Sequence, residues 1–245
     1  MKNYSFVLLA ACVVTASGAS AQTTFRLGVR GGFNRALTTL DETSNTSVDF
    51  YNISATKSAI SAWQAGVVSE LTFGKLALQP ALVFSQKGEQ YTTLLTSRDS
   101  GFPYREERST TSRYNWLELP VNLVYTLHGD HGLQVLAGPY VALAVGGRQQ
   151  VEGSSSGVVG PYTYTAPLAY GFNSTNRRFD AGLNFGLGYR QGPVQVQLCY
   201  GLGLRNLHQA NPLNHAAGGP GLHDFQADAA ANRVLQLTGT YFFQL

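Results

Sequence analysis

Beyond its N-terminal segment the sequence has no run of ~18 consecutive apolar residues, so no membrane-spanning helix is expected. Charge is also scarce. Charged residues make up 13% of the 245 positions, about half the share usual in soluble domains. The formal net charge of +3 is spread along the chain without a basic cluster, and a nucleic-acid-binding surface is therefore not expected. Cysteine is limited to Cys12 and Cys199. Cys12 falls in a segment expected to be removed, which leaves no internal disulfide. What the chain does have is 27 glycines, 13 tyrosines and 13 phenylalanines. Few charges with many glycines and aromatics suit a surface that faces something other than water.

The N-terminus has the form of an export signal. Lys2 precedes the apolar stretch Phe6 to Ala16, and Ala19-Ser20-Ala21 fits a small-residue cleavage site. Residues 1–21 are accordingly expected to be a signal peptide and 22–245 a single domain. Leu9-Ala10-Ala11-Cys12 also resembles a lipoprotein cleavage box, which would place a lipid on Cys12 instead.

Period-2 alternation dominates the rest. From Val194 to Arg205, Val194, Val196, Leu198, Tyr200, Leu202 and Leu204 alternate with Gln195, Gln197, Cys199, Gly201, Gly203 and Arg205. Successive side chains of a strand point to opposite faces, so one face is apolar and the other polar or small. Seven further segments behave alike, beginning near Phe25, Trp63, Leu76, Leu117, Leu133, Phe179 and Leu235. Each is long enough to cross a bilayer as a tilted strand. Three connections are tight: Gly74-Lys75, His128 to His131 and Gln191-Gly192. Four are long, about residues 35–58, 91–111, 149–176 and 206–231, and rich in Ser, Thr, Asn, Gly and Pro. Strict alternation of long and short puts all long loops at one end. The expectation is an all-β, eight-stranded antiparallel up-and-down transmembrane β-barrel, with four long extracellular loops and three short periplasmic turns.

The apolar face is expected to point outward to lipid. Phe25, Phe73, Tyr125, Tyr189, Tyr241 and Phe243 lie toward the short-turn end of that face. Phe33, Trp63, Phe84 and Phe179 lie toward the long-loop end, as two interfacial girdles would require. Arg26, Arg30, Glu70, Glu118, Asp180 and Arg190 fall on the opposite face, where they are expected to build an internal ion-pair network plugging the lumen.

Several segments resemble PorT-type outer-membrane β-barrel proteins. LALQPALVFSQKGEQ (Leu76 to Gln90) resembles that family's LQPEL-Y-S-KG strand. NWLELPVNLVY (Asn115 to Tyr125) resembles YLEIPLL-KY, with Trp116 in place of Tyr. LAGPY (Leu136 to Tyr140) and the pair within Phe179 to Asn206 follow the same pattern, with Cys199 where Arg is common. The resemblance implies an eight-stranded barrel in the bacterial outer membrane. Some such relatives serve a protein secretion apparatus, and that role is not implied by these motifs.

Chemistry-bearing residues outside the strands fit bland roles. His208, His215, His223, Asp224 and Asp228 share the fourth long loop without the spacing of a compact metal site. His128, Asp130 and His131 form a turn. Arg98, Arg105, Arg108 and Arg113 are candidates for contact with lipopolysaccharide phosphates, since arginine pairs well with phosphate. Tyr162 and Tyr164 are candidates for adhesive contact. The expected role is non-enzymatic, structural or interaction-based, without cofactor or metal, with outer-membrane lipids and a cell-envelope or secretion-apparatus protein as partners. Two other readings share the strand pattern: a soluble periplasmic lipocalin-like binding barrel, and an outer-membrane lipid-modifying or proteolytic enzyme.

Overall fold

The structure is a computed structural model. It describes residues 23–38, 44–48, 51–97, 103–128, 131–156, 160–170, 176–207 and 231–243. Residues 1–22 and most of the fourth long loop, including His208, His215, His223, Asp224 and Asp228, lie outside the described residues, as do Arg98 and Asp130.

The described strands are β1 (Thr23–Thr38), β2 (Ser44–Val48), β3 (Tyr51–Phe73), β4 (Leu76–Ser97) and β5 (Arg105–Thr126). They continue with β6 (Gly132–Ser155), β7 (Tyr162–Pro167), β8 (Phe179–Gln191), β9 (Val194–Gly203) and β10 (Asn232–Phe243). Eight of these close a ring in which every neighbour is antiparallel. β1 pairs with β3 on one side and with β10 on the other, from Leu27↔Phe243 to Thr38↔Asn232. Closure is what a strand sheet in lipid requires, because hydrocarbon satisfies no backbone N–H or C=O at an open edge. The short β2 and β7 hang on β3 and β6 at the long-loop end.

The pairing register fixes the shape. Stepping sideways from Phe25 leads through Leu71, Leu78, Leu123, Ala137, Phe185, Tyr200 and Leu235, and arrives back on β1 at Arg35. The stagger is thus ten residues for eight strands. With a rise of ~3.3 Å per residue and strands ~4.8 Å apart, this gives a tilt of about 40°. The backbone radius is then about 8 Å, a bore that side chains alone can fill.

Side chains sort by face as the alternation predicts. Outward positions such as Leu27, Val67, Leu123, Val135, Leu187, Leu198 and Leu237 are exposed, while inward Glu70, Gln79, Gln134, Asp180, Gln195 and Gln197 are buried. The pattern is the inverse of a water-soluble barrel, in which the apolar set would be inside. Phe25 and Phe33 stand about 20 Å apart along the axis, close to the height of a lipid-facing apolar band.

The tight turns sit where the sequence puts them, with one shift. Gly74-Lys75 joins β3 to β4, with Gly74 left-handed at φ 63°. The last short turn is Gly192-Pro193 rather than Gln191-Gly192, since Gln191 still pairs with Val194. Gly192 takes φ 56°, a conformation that costs glycine little.

The long connections are shorter than the sequence suggests. β3 through β6 are 22 to 24 residues each, whereas β8, β9 and β10 are 13, 10 and 12. Much of 35–58, 91–111 and 149–176 is therefore strand. Thr92, Thr93, Thr110 and Thr111 are good strand formers, but a segment wet on both faces carries no apolar-polar contrast to reveal it. At that tilt, the wall of β3 to β6 rises about 55 Å and the opposite wall about 30 Å.

Candidate functional site

The bore is the part of the molecule where ionisable side chains meet. At the short-turn end Glu70 is fully buried on β3, level with Arg26 on β1, its cross-strand partner. Arg190, from β8 across the lumen, donates through Nη1 to both Glu70 oxygens at 2.8 and 2.7 Å. Arg26 adds a bond of 3.3 Å, and Gln79 Nε2 donates to Oε2 at 2.7 Å. Gln79 and Gln195 exchange amide hydrogen bonds of 3.0 and 3.3 Å beside them. The Arg190 guanidinium also lies over the inward ring of Phe242, 4.8 Å from its centroid. The carboxylate thus has charge-assisted donors on several sides, the arrangement a buried ion needs.

Arg30, one layer higher, is placed differently from the expectation. It is buried, but its partners are neutral: Gln197 Oε1 at 2.9 Å and Thr240 Oγ1 at 3.2 Å. The reason is register. The position opposite Arg30 on β3 is Gly66, and on β10 it is Thr240.

Toward the long loops the pairing involves a residue the sequence reading missed. Lys87, 1% exposed, sits 2.6 Å from Glu118 and 4.7 Å from the centroid of the Tyr140 ring. Lys87 continues the inward series Gln79, Ala81, Val83, Ser85 on β4, and following the alternation past Phe84 would have found it. Asp180 is fully buried and meets no cation among the described residues, contrary to the ion-pair expectation. Its Oδ2 accepts from Asn232 at 2.7 Å and from Tyr140 at 3.1 Å, and its Oδ1 has no partner. From this level upward the β5–β6 side of the bore is apolar. Tyr114, Trp116, Tyr140, Ala142 and Ala144 line it, and Leu168, Tyr170 and Leu207 from the loops pack onto them. Burial pushes the Tyr170 hydroxyl up to about 12, so it stays a neutral donor to the Gly146 carbonyl at 2.9 Å.

The six bore residues named from sequence therefore divide. Arg26, Glu70 and Arg190 come together, Glu118 pairs with Lys87, and Arg30 and Asp180 stand apart on neutral partners. Higher still, Glu89 faces Lys57 at 3.4 Å and accepts from Thr38.

The outer candidates are likewise separated. Arg105 pairs with Glu107 at 3.4 Å in the open, and Arg108 donates to Tyr164 at 3.0 Å. Tyr162 and Tyr164 on β7 stack at 6.4 Å. Arg113 alone reaches back toward the apolar band, to the Ser61 carbonyl at 2.9 Å. His128 and His131 stack at 5.9 Å in their turn. Among the described residues, no group of three His, Cys, Asp or Glu side chains is arranged to hold a metal ion.

A family model described as "Outer membrane protein beta-barrel domain" matches residues 20–209. No curated protein matches the sequence. Among solved structures, the crystal structure of Neisserial surface protein A (NspA) is similar at 9% identity, covering 90% of this chain and 99% of its own, with a TM-score of 0.35. That of Pseudomonas aeruginosa OpdQ is 8% identical over 91% of this chain and 99% of its own, with a TM-score of 0.13.

Proposed function

We propose that this chain, which belongs to the outer membrane protein beta-barrel domain family, is a non-enzymatic barrel with a plugged bore that works through the wall it raises above the membrane. One observation carries the reading: a continuous apolar outer band encloses a bore about 8 Å in backbone radius that is filled by buried side chains from Glu70 to Tyr114. The Glu70 cluster stops the short-turn end, and the Tyr114-Trp116-Tyr140 cluster with its loop residues stops the other. A channel of this width has no room left for hydrated ions.

The short turns face the periplasm and the tall wall of β3 to β6 stands outside, edged by β2 and β7. Residues 1–21 are the export signal, cut after Ala21. The exposed wall is the binding surface, and its partners are outer-leaflet lipopolysaccharide and a protein of the cell envelope.

Reconstitution of the purified chain in planar bilayers tests the plug. No stable single-channel conductance is expected. Large, long-lived unitary steps from the monomer would refute a sealed bore, and with it a role confined to the outer wall. Cross-linking in intact cells then identifies the protein held against β3 to β6.

A further inference from the structure

The outside of the barrel carries a grouping of charge just beyond the girdle at the long-loop end. Phe33 on β1 is 73% exposed and lies directly opposite Trp63 on β3. The Trp63 ring is 5.3 Å from that of Phe84 on β4. Two residues further along the same face come Arg35 on β1 and Ser61 on β3, again cross-strand partners. Arg35 Nη1 donates to Ser61 Oγ at 3.2 Å. Arg113 arrives from β5. Its neighbour on β4 is Gly88, which puts no side chain in its way. Arg113 Nη1 then reaches the Ser61 carbonyl at 2.9 Å. Ser61 lies where the β3–β4 register slips, between Ala59 and Gln64, so its carbonyl falls outside the regular pairing with β4.

Two guanidinium groups from strands three places apart thus converge on one serine on the outer wall. Neither has a carboxylate within ion-pair distance among the described residues. Like charges held together repel, and the pair gains most from an anion that both can reach. Guanidinium donors match the oxygens of phosphate. A phosphomonoester carries close to two negative charges near neutral pH, which balances two arginines better than the single charge of a phosphodiester. The aromatic platform directly below sits at the height where a lipid headgroup meets its acyl chains.

We propose that Arg35 and Arg113 form a binding site for the phosphomonoester of a phosphorylated glycolipid of the outer leaflet, whose sugar and upper acyl carbons rest on Phe33, Trp63 and Phe84. The site depends on the reading above that the long-loop end faces the cell exterior. Of the four arginines named from sequence, Arg113 belongs to it, Arg105 and Arg108 are engaged higher on the hairpins, and Arg98 lies outside the described residues.

The test uses the purified full chain in detergent micelles, titrated with bisphosphorylated lipid A, its dephosphorylated form, phosphatidylglycerol and inorganic phosphate, with bound lipid read by native mass spectrometry. Bisphosphorylated lipid A is expected to bind at least about tenfold tighter than the dephosphorylated form. The R35Q/R113Q variant is expected to lose that preference and R105Q/R108Q to keep it. Heat-dependent gel mobility checks that each variant is folded. If the double variant fails to fold, R35Q and R113Q taken singly should each weaken the preference. Equal binding of the two lipid A forms, or an intact preference without both arginines, overturns the site. Tighter binding of phosphatidylglycerol or of free phosphate overturns its assignment to a glycolipid. A wild-type chain that stays dissolved without detergent is a separate outcome, one that removes the membrane reading itself.

Discussion

The two ends of the bore solve the same problem with different chemistry. At the short-turn end a single carboxylate, Glu70, is held by Arg190, Arg26 and Gln79. At the long-loop end, Lys87 and Glu118 form one ion pair and Lys57 and Glu89 another, Asp180 leans on neutral donors, and tyrosines, a tryptophan and loop residues pack beside them. In the proposed plug the lower end is a polar seal built on one charge cluster, and the upper combines separate ion pairs with apolar packing. Low-dielectric surroundings strengthen a satisfied network and penalise a broken one. The lower end should therefore fail sharply when cut, whereas the upper should tolerate loss of a charge that has no counter-ion.

Glu70→Gln should show the largest effect. It leaves Arg26 and Arg190 in the lower bore without a carboxylate, at a cost of about 3–5 kcal/mol, seen as a lower urea midpoint in detergent or lipid vesicles. A loss below about 1 kcal/mol would mean that water reaches the lower bore and the seal is not dry. Lys87→Met comes next. It strands the Glu118 carboxylate but keeps an unbranched side chain against Tyr140, so a loss of about 2–3 kcal/mol is expected in the same assay. Should it match Glu70→Gln, the contrast between the ends is wrong. Asp180→Asn should be the mildest, within about 1 kcal/mol of wild type and toward greater stability. Its amide oxygen can still accept from Asn232 and Tyr140, while an uncompensated buried charge disappears. Marked destabilisation would show that Asp180 has a charged partner.

Much of this frame can be read directly from the residues. On β9 the series Val194, Val196, Leu198 against Gln195, Gln197, Cys199 gives strand, face and register together, and Gly74 and Gly192 mark two of the tight turns. The upper wall is not readable in that way. Threonine and serine on both faces of β4 and β5 leave no period to detect, so strands there look like loop. Pairings across the bore are also hidden. Lys87 meets Glu118 only because β4 and β5 align Val83 with Glu118, and Arg30 lacks a carboxylate only because Gly66 lies opposite it. Trp116 breaks the sign rule outright: an apolar residue on the inward face, 1% exposed, it packs with Tyr114 and Tyr140 inside the bore rather than in a girdle. The slip between Asn115 and Trp116 in the β5–β6 pairing is likewise invisible in one sequence.

The central claim is that the apolar face meets lipid. Spin labels placed singly at Val196, Leu198 and Leu237, all outward, in a Cys199→Ser background reconstituted in vesicles test it most directly. Oxygen dissolved in the bilayer should relax all three strongly and an aqueous nickel chelate should not, while a label at exposed Glu152 on the tall wall should show the opposite. Nickel access at Val196, Leu198 and Leu237 equal to that at Glu152 would contradict the account.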